Sequence, residues 1–319
     1  MNEFRSAVQN LFRTQLTTDW ALTLGVVGAL FVAILVICYA TQIGIIARAT
    51  TKEAIRQPVF FLLLGIGITL LVLNTFLPFF SLGEDVKMLK DCGLAIILFF
   101  GMFLSIWTSS TSIADEIEGK TAMTLLSKPI NRRQFVVGKF LGIFNGAMSL
   151  MIPLMIVFLV LIFYKVGYDA REGGTEVMGI KKTSDQVTVA DRLDVVVNIL
   201  PSLVLVILEV TIMTAVSVAI STRLPMVVNI VTCMTIFVVG HLTPVLVKTV
   251  FQTLEPVKFM AQVIATLLPA LESFNTQVAV ATSATIPPSY LGYAALYCAI
   301  YCMAAILLAF ILFEDRDLA

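Results

Sequence analysis

The chain has 319 residues, of which 59 % are hydrophobic and only 13 % charged, with a mean hydropathy of +0.97. Soluble domains carry about 25 % charged residues, so this is the composition of an integral membrane protein. The formal net charge is zero and no Lys/Arg-rich patch is present, which argues against nucleic acid as a partner and leaves membrane lipid.

From the N-terminus, Phe4, Val8, Leu11 and Phe12 recur at helical spacing with Arg5 and Arg13 among the polar positions, the pattern of a short helix lying on the membrane surface. Trp20–Ala47 is the first run free of Asp, Glu, Lys and Arg. It is longer than the roughly 7–15 apolar residues of a signal peptide and no clear small-residue cleavage site follows, so a retained span is expected. Next, "ARATTKEAIRQP" sets Arg48, Lys52 and Arg56 against one acid and closes at Pro58, which predicts an amphipathic elbow at a membrane face.

Charge-free runs then follow at Gln57–Gly83, Cys92–Ala114, Phe140–Tyr164, Val195–Thr222 (broken once, by Glu209), Leu224–Val247 and Tyr290–Phe313, the last after Pro287-Pro288. Each offers the ~20 apolar residues that a membrane-crossing helix needs, and none alternates with the period of a barrel strand. The expected fold is all-α, a polytopic bundle of about seven transmembrane helices.

The connections are more specific. The first of note, "ADEIEGKTAM" (114–123), contains Gly119-Lys120-Thr121, which looks like the end of a Walker A loop. Such a loop needs an earlier glycine, where Ala114 stands, and Asp115, Glu116 and Glu118 would repel the phosphates it is meant to hold. It is no nucleotide site. Ile113 with Ile117 and Ala122 with Leu126 are i,i+4 pairs, so Ile113–Leu126 is expected to form a short helix with one apolar side. Lys128 before Pro129 ends it, and Asn131 with Gln134 three residues on starts the helix of the next span. That span opens with Gly138, Gly142 and Gly146, a stripe that lets another helix approach closely.

Further on, 165–194 is long, polar and mixed in charge, an aqueous loop. The 248–288 connection holds the 13-residue apolar run Phe259–Leu271, too short to cross, and is expected to dip into the membrane as a re-entrant or interfacial hairpin. The Lys/Arg bias over the short connections favours the 113–139 face as the inside.

Within the spans, Glu209 is the one expensive residue, costing on the order of 2.5–3.5 kcal/mol at mid-membrane, so it should face protein or a water-filled path. It is a possible member of a translocation path, or a packing residue. His241, the single histidine, precedes Pro244 and has the placement of a polar residue near a helix end. Cys298 and Cys302 stand four apart on one face with no His or acid beside them, so packing rather than metal binding is expected, and no metal constellation is present. No Ser/His/Asp arrangement supports an enzyme.

The segment Glu116-x-Glu118-Gly119-x-Thr121-x-x-x-Leu125-Leu126-x-Lys128-Pro129-Ile130-x-x-Arg133-x-x-Val136-Val137-Gly138-Lys139 resembles the region after the second core span of ABC-2 type permeases, the membrane subunits of ATP-binding-cassette exporters. Its usual form is E-x-E-x-G-T-x-x-x-L-L-x-x-P-[IV]-x-R-x-x-[IL]-[IV]-x-x-K. This chain departs from it with Gly-Lys-Thr where Gly-Thr is usual. The elbow and the C-terminal "FEDRDL" are also similar to that family, and the likeness covers about Ile45–Ala319.

The resemblance implies two parts: 1–47, a surface helix with an extra N-terminal span, and 48–319, a six-span permease domain. It implies a coupling segment over 113–139 that docks on a separate ATPase subunit through Glu116, Glu118, Gly119, Lys120, Thr121, Leu125, Leu126, Pro129 and Arg133. It further implies an extracytoplasmic hairpin at 248–288, a second permease protomer, homo- or heterodimeric, and residence in the plasma (inner) membrane with a cytoplasmic C-terminus. ATP would be bound by the partner and no cofactor by this chain. The rival reading is a secondary transporter driven by an ion gradient with Glu209 as its titrating group, although no internal repeat supports it.

Overall fold

The computed structural model describes residues 41–76, 85–114, 131–172, 189–249, 268–276, 279–280 and 286–314. The run Trp20–Ala47 therefore lies outside the described residues up to 40, as do Cys38 and most of Phe259–Leu271.

The described chain is helical. Helix α1, Gln42–Arg56, is capped by Thr41, whose Oγ accepts from the Gly44 N–H at 3.3 Å. It ends where Gln57 turns extended (φ −66°, ψ 137°) ahead of Pro58, the conformation a following proline favours. Residues 42–47, read from hydropathy as the end of the first span, are thus the first turns of the elbow helix. Helix α2 is Pro58–Phe76, α3 Asp85–Ser109, α4 Arg132–Glu172, α5 Val189–Ser221, α6 Met226–Thr249 and α7 Pro288–Glu314.

Five of these are long and apolar enough to cross a membrane: α2, α3 with the turn that follows it, α4, α5 and α7. A sixth, α6, is apolar over Met226–Leu242. The runs counted from charge alone correspond to these six helices, with shifted ends. Helix α3 begins at Asp85 rather than Cys92. Helix α4 has 41 residues, about 60 Å at 1.5 Å per residue, roughly twice the hydrocarbon thickness. It consequently projects beyond the spans, so that the connection between α4 and α5 narrows from 165–194 to 173–188, which lie outside the described residues. Lys165 near its end pairs with Asp85 at 3.6 Å and with Asp169 at 3.1 Å.

Helix α5 is the axis of the bundle: 72 % of its apolar window is buried, against 33 % for α2 and 28 % for α7. The peripheral helices leave Phe61, Leu62 and Leu73 of α2 and Tyr293, Ile300 and Met303 of α7 exposed, an outer surface suited to lipid. Cys298 and Cys302 seat α7 on α5. Their Sγ atoms lie 3.9 Å apart, and they reach the carbonyls of Leu208 (3.5 Å) and Thr211 (3.7 Å).

Candidate coupling junction and intramembrane polar site

Helix α3 does not simply stop at Ser109. The sequence Ser109-Ser110-Thr111-Ser112 follows, and Ser110–Ala114 winds as a π-turn. Ser110 Oγ donates to the Ile106 carbonyl (2.7 Å) and Thr111 Oγ to that of Trp107 (3.1 Å), so hydroxyls compete for the carbonyls an α-helix would use. A widened turn with i→i+5 bonding relieves that competition. It also aims Ser112 inward.

There Lys139 of α4, only 3 % exposed, donates from Nζ to Ser112 O at 2.9 Å and lies 2.7 Å from Ser112 Oγ. Ser112 Oγ donates to Glu53 Oε2 of the elbow at 3.2 Å, and Gln57 Nε2 donates to Thr111 Oγ at 3.2 Å. On the other side Asn229 of α6 donates to Ser110 Oγ (2.8 Å) and Ser217 Oγ (3.2 Å), while Ser109 Oγ meets Ser221 Oγ at 3.1 Å. Polar contacts from successive residues of 109–112 therefore tie α1, the π-turn, α4, α5 and α6. The segment 115–130 leaves the described fold after Ala114, beside these contacts, and re-enters it at Asn131, about two turns before Lys139.

The return is also fixed. The Asn131 N–H donates to Gln134 Oε1 at 3.2 Å, one half of the capping box expected there. Arg132 lies 5.9 Å from the Phe313 ring, which stacks on Phe135 at 5.8 Å, and Lys139 sits over Phe135 at 5.5 Å. The last turn of α7 thus joins the same corner. Arg133 lies exposed in the first turn of α4. Glu116, Glu118, Gly119, Lys120, Thr121, Leu125, Leu126 and Pro129 lie outside the described residues.

The glycine stripe meets the elbow. A Cβ on Gly138 would lie 2.8 Å from Ile46 Cβ, one on Gly142 2.6 Å from Thr50 Cβ and 2.7 Å from the Ala47 carbonyl, and one on Gly146 2.9 Å from Ala54 Cβ. Ile46, Thr50 and Ala54 repeat every four residues, as the glycines do, so two matched ridges are in register. Thr51 Oγ bridges them, 2.8 Å from the Ala47 carbonyl and 3.0 Å from that of Gly142.

Higher in the spans, Glu209 of α5 is 2 % exposed. Its Oε1 lies 3.4 Å from His241 Nε2 on α6 and makes no well-formed hydrogen bond. Because α6 continues to Thr249, His241 does not stand at a helix end as its neighbourhood in sequence implied. The 3₁₀ turn Leu271–Phe274 packs at the same level. Leu271 lies against Gly240, the Ala270 N–H donates to the Tyr297 hydroxyl at 2.9 Å, and the Tyr290 hydroxyl donates to the Ser273 carbonyl. Among the described residues no group of three or more His, Cys, Asp and Glu is placed to hold a metal ion.

The family profile described as "ABC-2 family transporter protein" matches residues 12–318. This chain belongs to that family. No match was found among curated proteins. Membership makes it a multi-pass membrane component of an ABC transporter, a permease rather than a catalytic subunit, in agreement with the helical bundle and the resemblance of the 116–139 motif. The match starts well before the elbow, so the family likeness takes in residues ahead of Ile45 as well. Sequence reasoning missed two features: the hydroxyl cluster at 109–112, which carries no charge to draw attention, and the Lys139 role within the motif.

Proposed function

We propose that this permease is the membrane subunit of an exporter, that it forms the translocation path as a homo- or heterodimer, and that it takes its motion from separate ATPase subunits. Those subunits grip residues 115–130 from the cytoplasm, where the C-terminus also lies, and ATP is hydrolysed there and not on this chain. The host membrane is the plasma membrane.

The observation supporting this reading is the junction of Lys139, Ser112 and Glu53. A lever is useful only if its ends are rigidly attached to what must move. Here the residues that lead into 115 belong to a set of buried contacts that reaches four helices and the elbow, and Lys139, about two turns beyond 130, belongs to the same set. The exposed apolar faces of α2 and α7 leave room for lipid and a second protomer.

Reversing charge at Glu116 and Glu118 together, to lysine, tests the coupling assignment. The permease should remain monodisperse in detergent while its co-expressed ATPase is lost from affinity pull-downs. Undiminished retention of the ATPase would remove the segment from the docking surface.

A further inference from the structure

Two contacts govern the protons of the intramembrane pair. His241 Nδ1 lies 3.2 Å from the carbonyl of Phe237, one turn back on α6. A carbonyl can only accept, so Nδ1 carries a hydrogen. Nε2 then faces Glu209 Oε1 at 3.4 Å, with the carboxyl almost wholly buried. A neutral ring and an ionised carboxylate would put a lone pair against an anion at 3.4 Å, which is repulsive. A single proton between the two atoms removes the conflict whichever atom it sits on. Carboxylic acid with imidazole, and carboxylate with imidazolium, both sum to zero charge, the state that costs least within a span.

Depth supports a site rather than a surface contact. Counting from the tight α5–α6 turn at 1.5 Å per residue, Glu209 lies about 18 Å along α5 and His241 about 22 Å along α6. The surrounding ionisable groups oppose a bare charge. Glu272 on the 3₁₀ turn acts on Glu209 as a like charge, and accepts from Asn275 Nδ2 at 3.2 Å. Helix α7 brings Tyr297, Tyr301, Cys298 and Cys302, and α6 brings Cys233, which donates to Asn229 Oδ1 at 3.3 Å. Residues 93–113 of α3 with its π-turn and 140–163 of α4 carry no ionisable side chain, so no lysine or arginine from those segments can take the proton's place.

We propose that Glu209 and His241 form a proton-binding site inside the membrane, holding one proton in common between Glu209 Oε1 and His241 Nε2. The proton comes from water and returns to it; no other reactant is needed. The site gives the permease a titratable group at membrane depth, beside the 3₁₀ turn Leu271–Phe274.

His241 is the only histidine, so the full chain labelled with ¹⁵N at histidine, in phosphatidylcholine nanodiscs at pH 7, yields one imidazole spectrum. The expected spectrum has a hydrogen-bearing Nδ1 and an Nε2 shifted away from the position of an unbonded ring nitrogen. In Glu209→Gln the Nε2 signal should move back toward that position. Identical wild-type and variant spectra would overturn the site. So would a wild-type ring with a bare Nδ1 or an unbonded Nε2, which decides the matter even if the variant does not fold. No ATPase takes part, so the result is independent of the coupling assignment.

Discussion

Among the described residues, two polar clusters inside this bundle are built oppositely. At the π-turn corner the donors are answered, with Gln57 Oε1 left over: Lys139 has two acceptor contacts on Ser112, Ser112 reaches Glu53, and Asn229 spans Ser110 and Ser217. At mid-span Glu209 Oε1 faces His241 Nε2 at 3.4 Å, with Glu272 a like charge nearby, and it has no well-formed hydrogen bond. A saturated network rigidifies what it joins, whereas an under-satisfied one costs stability and persists where it serves function. The first is suited to transmit displacement, the second to bind.

That contrast is open to mutation, and the sharpest cut is at the elbow. In Gly142→Leu the side chain would run into the Ala47 carbonyl and Thr50, neither of which can yield without moving α1. A loss of about 3 kcal/mol is expected from overpacking of this kind, seen as an earlier SDS-unfolding midpoint. A loss under half of that would mean that the elbow floats on α4 instead of seating on it.

Next in size, Lys139→Met leaves the buried Ser112 carbonyl without its donor and should cost about 2 kcal/mol in the same assay. Replacing the pair together, Glu209→Leu with His241→Phe, should have the opposite sign, stabilising by about 1 kcal/mol, because apolar residues replace two groups that lack a full set of partners. Equal signs at the two sites would erase the distinction between them. Gly292→Ala is the control: a Cβ there meets nothing within 4 Å, so the change should stay within about 0.5 kcal/mol.

How much of this was legible beforehand follows from what charge and hydropathy can report. Six helices were readable from charge-free runs because lipid excludes ionised side chains. The start of α1 was not, since Trp20–Ala47 is unbroken in hydropathy; Thr41 followed three residues on by Gly44 was the only local sign, through the cap. The stripe of Gly138, Gly142 and Gly146 announced close packing but not its partner, which depends on how the elbow folds back. His241 could have been matched to Glu209 by register, since both stand at similar distances from the turn at 222–225, a count that assumes α5 and α6 form a hairpin. The hydroxyls of 109–112 offered no such handle.

The central claim is that residues 115–130 bear on a motor protein inside the cell. Replacing Lys120 with a photo-crosslinking amino acid and irradiating cells that express the whole transporter tests it directly. An adduct between the permease and its ATPase subunit, absent when the same residue is placed at Tyr293 on the exposed face of α7, is the predicted result. Absence of the adduct at Lys120, with the transporter intact, would contradict the account.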